Sequence, residues 1–350
     1  MSGHNKLSET SIRKKEHLHL CINENVGFIT KTNGFEYYEF LHYALTEVDI
    51  QKIDLSTRLF KKKINYPFLI SCMTGGTNEA EDINAQLALA AEEIKIPIGV
   101  GSQRQVLEDY NFKESYKVIR NNAPSVPVFG NIGAAEVVKF KSPHKFQKLI
   151  DLIEADAFVI HINPLQELIQ HEGNPYFKGL LKNIKKIVKH IEVPIIVKEV
   201  GSGISFSAAN TLLDVGVKGI DVAGAGGTSW AGVELLRNKY TEDNYLWDWG
   251  LPTSFCIREV SKLKKSYKFI LIGSGGINSS ISAAKALALG ADLIASARTV
   301  LKKLDKNGIE GVKELIDKWF EDIKKIMFLT GSKNLNQLKR NKLIRKELIY

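Results

Sequence analysis

Residues 156–167 read D-A-F-V-I-H-I-N-P-L-Q-E, an apolar run that ends in a cluster of polar groups. The apolar residues 157–160 predict a buried strand, and Pro164 ends it because proline cannot donate to a sheet. His161 and Asn163 are two residues apart, so their side chains leave an extended strand on the same face. A strand that ends in a histidine, two amides and a carboxylate indicates the rim of an active site. A solvated strand-to-helix turn is the alternative.

From residue 67 onwards, short apolar runs alternate with helical patterns. The predicted strands are residues 67–71, 97–100, 127–129, 157–160, 194–197, 219–222, 269–272 and 292–295. The predicted helices are residues 78–94, 105–121, 143–154, 178–190, 205–215, 253–265, 279–289 and 309–328. Continuous apolar strands are typical of parallel strands that are buried on both faces. The pattern therefore predicts an α/β fold, a (β/α)₈ TIM barrel, with an open doubly wound sheet as the alternative.

The remainder of the 350 residues is divided between the two ends of the chain. Residues 1–65 lack the strand–helix rhythm and are predicted to form an N-terminal extension, and residues 66–330 form the barrel. Residues 331–350 form a basic C-terminal tail, for which a solvated helix is expected. A chain of this length buries about three quarters of its unfolded surface, so it needs no disulfide or metal to fold.

Composition and charge limit the classes of function. Cys21, Cys72 and Cys256 share no metal-ligand spacing, which is typical of reduced thiols in a cytoplasmic protein. No apolar run approaches the roughly 18 residues of a membrane span, and no signal-peptide core is present, so no membrane association is expected. The net charge of +9 comes mostly from lysines scattered over helix faces. We expect no nucleic-acid partner, and an anionic small substrate accounts for the sign of the charge equally well.

Glycine-rich segments follow most of the predicted strands. They are M-T-G-G at 73–76, G-V-G-S-Q-R at 99–104, G-N-I-G at 130–133, V-G-S-G at 200–203, G-A-G-G-T-S-W at 224–230 and G-S-G-G at 273–276. One such turn means little, because glycine is the default residue in tight turns. Their repetition after several strands exceeds what turn geometry requires. A Rossmann fold would carry G-x-G-x-x-G at its first strand, where this chain has M-T-G-G.

Several strand ends indicate a phosphorylated planar cofactor. In a TIM barrel, glycines after the seventh and eighth strands let backbone N–H groups close on a phosphate beside a helix N-terminus. Lys198 ends an otherwise apolar strand, and a cation there needs an anionic or electron-rich partner. Small residues after the first and sixth strands leave space for a flat ring. FMN fits these features best, and a sugar-phosphate substrate without a cofactor is the alternative.

Nine motifs in collinear order resemble the type 2 isopentenyl-diphosphate isomerases. They are R-K-x-x-H, M-T-G-G, G-S-Q-R, G-N-I-G-A, H-I-N-P-L-Q-E, V-K-E-V-G, G-G-T-S-W, W-G-L-P-T and G-S-G-G, and the resemblance as a whole runs from residue 13 to about residue 298. The resemblance implies an FMN-dependent barrel that requires reduced flavin, Mg²⁺ and NAD(P)H as reductant. It also implies a homo-oligomer, a tetramer or octamer, that interconverts isopentenyl and dimethylallyl diphosphate by a 1,3-proton shift.

The resemblance also implies roles for residues at matching positions. Flavin contacts fall on Cys72, Met73, Thr74, Ser102, Asn131, Lys198 and Thr228, and contacts to its phosphate on Gly275, Gly276, Ser296 and Ala297. Substrate contacts fall on Arg13, Lys14, His17, Ser102, Gln103, Arg104 and Gln166. The resemblance assigns Mg²⁺ binding to Glu167 and catalytic roles to His161, Asn163 and Gln166. Composition alone favours a flexible basic lead-in for residues 13–17, and the resemblance reverses that interpretation.

Two other functions are open. A flavin-dependent hydroxy-acid oxidoreductase shares the barrel and the phosphate site, but that family carries a catalytic histidine after the sixth strand, where residues 224–230 have none. A polyanion-binding protein would use the positive charge and leave the polar strand ends unexplained.

In an isomerase, reduced flavin compensates for the lack of a strong side-chain acid. Which of the flavin, His161 and Gln166 acts as acid and which as base stays open.

Overall fold

Eight parallel strands form a closed barrel in the computed structural model, which describes residues 9–139, 141–239, 245–340 and 342–349. The barrel strands are Phe68–Ile70, Ile98–Gly99, Val128–Gly133, Ala157–His161, Ile195–Lys198, Gly219–Asp221, Ile270–Gly273 and Leu293–Ser296. Each strand pairs with the next along the chain, and the eighth closes on the first in parallel register. The prediction of a TIM barrel is confirmed, and the doubly wound alternative is wrong.

Helices cover the outside of the barrel. In the described part of the chain the α-helices are Glu9–Asn23, Asn78–Ile94, Arg104–Glu108, Glu114–Asn122, Ala134–Val138, His144–Leu152, Pro164–Ile169, Leu180–His190, Phe206–Asp214, Trp230–Arg237, Thr253–Ser261, Ser280–Ala288, Arg298–Leu329 and Leu335–Leu338. Short 3₁₀ turns occupy Phe35–Tyr37, Ile50–Lys52, Tyr110–Lys113, Lys262–Lys265 and Lys346–Leu348. The helix Arg298–Leu329 is kinked at Gly308, where φ is 64°.

One predicted helix is broken and another is longer than expected. The pattern over residues 105–121 is not one helix, because the side chain of Asp109 accepts from the backbone N–H of Asn111 and starts a new turn there. The helix expected over residues 309–328 is the later part of Arg298–Leu329. Its true beginning, directly after the eighth strand, matters because a helix N-terminus attracts anions.

Alternation along the strands decides which side chains face the cavity. In the fourth strand, Ala157 and Val159 pack inside the barrel, whereas Phe158 and Ile160 pack outwards against the helices. His161 therefore continues the inward row at the carboxyl end of the strand. By the same parity, Asn131 follows the inward Phe129 and Lys198 follows the inward Ile196.

The extension and the tail are attached to each other and to the barrel. Strand Tyr38–Phe40 of the extension pairs antiparallel with strand Leu343–Arg345 of the tail, so the solvated C-terminal helix that we expected is wrong. The hairpin of Thr57–Leu59 and Lys62–Ile64 sends Leu59 and Ile64 into the inner barrel core. Among the described residues, no helix combines the length and the apolar surface that crossing a bilayer requires.

Candidate active site

A cavity of about 650 Å³ lies at the carboxyl ends of the barrel strands. The N-terminal helix Glu9–Asn23 contributes one face to it, spaced three or four residues apart as one side of a helix must be. That face consists of Thr10, Arg13, Lys14, His17, Leu18 and Cys21. The segment that composition alone would make a flexible lead-in is therefore a helix that covers the barrel mouth.

The predicted site residues line this cavity with one exception. Those that line it are Arg13, Lys14, His17, Cys72, Met73, Thr74, Ser102, Arg104, Asn131, His161, Asn163, Gln166, Glu167, Lys198, Thr228, Gly275, Gly276, Ser296 and Ala297. The exception is Gln103, which is fully buried behind the wall. Its amide donates to Leu149 O (2.8 Å) and accepts from Asn131 N (3.0 Å). Gln103 thus supports Asn131, and a contact between Gln103 and a substrate is no longer expected.

His161 is held as a neutral imidazole. Its Nδ1 lies 2.9 Å from Asn131 Oδ1, and Asn131 Nδ2 donates to Val100 O (3.2 Å), which fixes the orientation of the amide. Nδ1 therefore carries the hydrogen, and Nε2 is an acceptor. Burial, reinforced by the charges of Lys198 and Lys14, lowers the pKa of His161 to about 4.

A buried carboxylate that the sequence did not single out joins the N-terminal helix to the strand end. Glu234, on helix Trp230–Arg237, is fully buried. Its Oε1 accepts from Gln166 Nε2 (2.9 Å) and lies 2.8 Å from His17 Nε2, and its Oε2 accepts from Arg237 Nη1 (2.6 Å). Burial alone would raise the pKa of Glu234, but the nearby His17 ring and the donors of Gln166 and Arg237 outweigh it and hold the pKa below its ordinary value.

A second amide extends this network to the guanidinium of Arg13. With the orientation that satisfies both of its ends, Gln170 donates to Glu234 Oε1 (3.1 Å) and accepts from Arg13 Nη1 (2.9 Å). Burial, followed by repulsion from Arg104, lowers the pKa of Arg13. The guanidinium of Arg13 is thus oriented through an amide rather than neutralised by a direct carboxylate partner.

Lys14 points into a cage of oxygens at the edge of the cavity. Its Nζ donates to Tyr116 Oη (3.0 Å), to Ser102 O (3.3 Å) and to Gly75 O. Burial, reinforced by the neighbouring Arg13, lowers the pKa of Lys14 to about 7. An anion in the cavity would favour the charged form of this amine.

The residues after the fourth strand form a compact polar turn. Asn163 Nδ2 donates to Gln166 Oε1 (3.0 Å) and to Glu167 Oε1 (3.1 Å), and Glu167 Oε2 accepts from Asn174 N (2.8 Å). Asn163 Oδ1 is buried without a partner among the described residues. Nor does that part of the chain hold a cluster of three metal-ligating side chains. Glu167 places one carboxylate at the cavity, a ligand type that suits an ion such as Mg²⁺, which can take its other ligands from phosphate and water.

The opposite end of the cavity is built from backbone. Gly275 and Gly276 have φ of +97° and +69°, and a Cβ at either would collide with the carbonyl oxygen of Gly224 or Gly226. Helix Arg298–Leu329 begins after Ala297 with no side-chain cap, so its first N–H groups need another acceptor. These features fit a phosphate group.

Between the two ends lies the floor of the cavity. Lys198 Nζ donates to Glu199 O (2.8 Å) and lies 3.6 Å from Asp221 Oδ2. Asp221 Oδ1 accepts from the hydroxyl of Ser274. Burial raises the pKa of Cys72 to about 12, so its thiol is neutral. Asp221 holds Lys198 in place, and small groups such as the neutral Cys72 thiol leave space beside it for a flat ring, so the residues present suit FMN.

Known proteins match this chain along nearly its whole length. A family model described as FMN-dependent dehydrogenase matches residues 10–115 and 126–345. The isopentenyl-diphosphate delta-isomerase of Chlorobium limicola is 45% identical over 347 residues, covering 95% of this chain and 96% of its own. That of Pyrococcus furiosus is 42% identical over 344 residues, covering 95% and 86%. The chain belongs to the isopentenyl-diphosphate delta-isomerase family. The resemblance inferred from the motifs is confirmed, and the match to the flavin family model identifies the FMN-dependent type 2 branch.

Solved structures related to this isopentenyl-diphosphate isomerase family member show the same barrel. A protein described as a lactate oxidase from Pediococcus acidilactici superposes with a TM-score of 0.70 at 17% identity, covering 95% of this chain and 94% of that one. A flavocytochrome b2 superposes with a TM-score of 0.69 at 18% identity, covering 94% and 82%. At such identity only the fold is shared. The hydroxy-acid alternative is not favoured, since the relatives with high identity are isomerases.

Proposed function

We propose that the protein interconverts isopentenyl and dimethylallyl diphosphate by a 1,3-proton shift, with reduced FMN and Mg²⁺, in isoprenoid biosynthesis. The observation that carries the proposal is the position of the N-terminal helix. It brings Arg13 and His17 into the same cavity as His161 and Gln166, so cations suited to a diphosphate face polar groups suited to proton transfer. The names of the relatives support the same reaction.

FMN would be held at two places in the cavity. Gly275, Gly276 and the start of helix Arg298–Leu329 would bind its phosphate, and Lys198 would lie beside its ring. Cys72, Met73, Thr74, Ser102, Asn131, Thr228, Ser296 and Ala297 would complete the walls. When bound in the reduced form, the flavin supplies an electron-rich ring that stabilises cationic character and carries a proton.

The substrate diphosphate would lie under the N-terminal helix. Arg13 and Arg104 provide fork-shaped donors, which suit phosphate oxygens, and Ser102 adds a hydroxyl. Lys14 adds a cation whose charge the diphosphate would stabilise. Glu167 would hold Mg²⁺ together with phosphate oxygens and water.

Three further predictions stay predictions: that NAD(P)H is the reductant, that the protein is a homo-oligomer, and that it is cytoplasmic.

The carbon chain of the substrate would face the strand-end side chains. Neutral His161 offers an unprotonated Nε2 that can accept a proton. Gln166 is held at both ends, by Asn163 and by Glu234, so it keeps one orientation towards the reacting carbons. The covering helix Glu9–Asn23 excludes water, which would otherwise capture cationic character.

An anaerobic incubation tests the proposal. The protein is supplied with FMN, excess NAD(P)H, Mg²⁺ and isopentenyl diphosphate, and the acid-labile product is measured. Dimethylallyl diphosphate is the expected product, and it should not form when FMN is omitted. Oxygen consumption with lactate, together with no isomerisation, would instead support the hydroxy-acid oxidoreductase.

A further inference from the structure

The loop after the seventh barrel strand, residues 275–277, is held from outside the barrel by a residue of the N-terminal extension. Asn33 Nδ2 donates to Gly276 O at 2.7 Å, and Asn33 Oδ1 accepts from Phe35 N at 3.2 Å. The contact spans 243 positions in the sequence. Asn33 does not line the cavity itself, so it acts from behind the loop.

The backbone around Asn33 is packed without room for side chains. A Cβ on Gly226 would collide with Asn33 N, and a Cβ on Gly227 would collide with Gly276 N. The segments 32–33, 226–227 and 275–276 are therefore in direct backbone contact. Asn33 is fixed on its other side as well, because Ser254 N donates to Asn33 O (3.0 Å).

The direction of this hydrogen bond determines which way the peptide after Gly276 faces. The C=O and N–H of a trans peptide point in opposite directions, so a carbonyl turned to Asn33 turns the N–H of Ile277 away from it. Ile277 and Asn278 line the cavity, whereas Asn33 is not among the residues that line it. The contact thus aims a backbone donor at the side where an anion would bind.

We infer that Asn33 is a positioning residue for the cofactor phosphate, which makes the N-terminal extension a part of the FMN site. The inference rests on the proposed function, since it takes FMN as the ligand of this loop. Thr253 supports the preceding peptide in the same manner, by donating from Oγ1 to Gly275 O (2.6 Å). Asn33 differs from Thr253 because it belongs to the extension rather than to the barrel.

Comparison of FMN with riboflavin separates positioning from general support of the fold. Riboflavin has the same ring and lacks the phosphate. A residue that only stabilises the protein would affect the binding of both ligands, whereas a residue that aims donors at the phosphate affects FMN alone. The affinities of both ligands for the apoprotein can be measured by quenching of flavin fluorescence.

The test uses Asn33→Ser. Serine at this position keeps an acceptor for the N–H two residues on, but it is too short to reach Gly276 O. The Kd for FMN should rise about 3- to 10-fold, the value of one neutral hydrogen bond, and the Kd for riboflavin should stay within about 2-fold of the parent value, well below one such bond. The matched control is Asn183→Ser, because Asn183 Nδ2 also donates to carbonyls, those of Val137 and Val138, away from the cavity.

Three results would overturn the inference. Unchanged FMN affinity in Asn33→Ser would show that the contact does not position the loop. An equal loss for FMN and riboflavin, or an equal loss in the control, would assign Asn33 to the stability of the fold. In all three cases the parent still binds FMN, so the proposed function stands; a parent that binds no FMN would remove the proposed function as well.

Discussion

The two ends of the cavity differ in the groups that line them, backbone at one end and charged side chains at the other. The end proposed for the FMN phosphate, the phosphate end, is built from backbone, with Gly275 and Gly276 in conformations that only glycine adopts readily. The end proposed for the substrate, the substrate end, is built from charged side chains, with Glu234 connecting His17 and Gln166. Backbone donors are directed by the conformation of their loop, whereas each charged side chain is oriented by hydrogen bonds with other side chains. Substitutions at the two ends should therefore affect different measurements.

The largest effect is expected from Gly275→Ala. The added Cβ would meet the backbone of Gly224, and the φ of +97° disfavours alanine. FMN affinity should fall by about 100-fold or more, the equivalent of roughly 3 kcal/mol of backbone strain, in a fluorescence titration. Gly179→Ala is the control, because it has a φ of +88° but no atom within 4 Å of the added Cβ. If Gly275→Ala binds FMN like that control, the phosphate lies elsewhere.

Glu234→Gln tests the other end. The substitution weakens bonds to His17, Gln166 and Arg237 at once, and each bond to a charged group contributes about 1.5–3 kcal/mol. We expect kcat/KM to fall by about 100- to 1,000-fold with unchanged FMN affinity. Glu172→Gln serves as control, since Glu172 also pairs with Arg237 but is 32% exposed. An equally large loss in that control would mean that Arg237, and not the network, matters.

Arg13→Gln should have a smaller effect at the same end. Loss of one desolvated contact to a diphosphate should lower kcat/KM by about 10- to 100-fold, again with normal FMN binding. The control is Lys15→Gln, which replaces an exposed neighbour of Arg13 and should leave kcat/KM unchanged. Equal activity of Arg13→Gln and the parent would remove the N-terminal helix from the substrate site.

Glu167→Gln should change the response to Mg²⁺ more than the maximal rate. One of several oxygen ligands is lost, so the Mg²⁺ concentration for half-maximal activity should rise by about 10-fold, the effect of losing one charged contact. The flavin should remain bound. A variant that responds to Mg²⁺ as the parent does would show that Glu167 is not a ligand.

The last prediction concerns the pH dependence of stability and not binding or rate. His161 has a pKa of about 4 in the folded protein against an ordinary value of 6.5, so the unfolded chain binds more protons between these values. The free energy of unfolding should therefore fall as the pH drops from 6.5 to 4 and gain nothing from His161 above 6.5. In chemical denaturation, His161→Asn should flatten this decline, and His190→Asn, which removes an exposed histidine, should not.

The barrel and the tight turn at Gly275 and Gly276 were predictable because their signals are local. Apolar runs mark the strands, and glycines mark the turns where a side chain does not fit, as at Gly275. The substrate end was only partly predictable. Glu234 is a single acidic residue between apolar neighbours, and nothing local shows that His17, Gln166 and Arg237 converge on it. Gln103 was assigned to the substrate from its motif, but its side chain turns to Leu149.

The extension and the tail show the same limit. No local pattern indicates that Tyr38–Phe40 pairs with Leu343–Arg345, because the pairing joins opposite ends of the chain. The link from Asn33 to Gly276 is equally distant in sequence. Each of these contacts joins segments that are far apart in the sequence, so neither segment shows the contact by itself.

Proton NMR in ²H₂O tests the central claim most directly. The protein is mixed with reduced FMN, Mg²⁺ and isopentenyl diphosphate, and the signals of both isomers are followed over time. The account predicts that dimethylallyl diphosphate appears with deuterium in its new methyl group, and that nothing changes when the flavin is left out. Isomerisation at the same rate without flavin, or no isomerisation by the flavin-loaded protein, would contradict it.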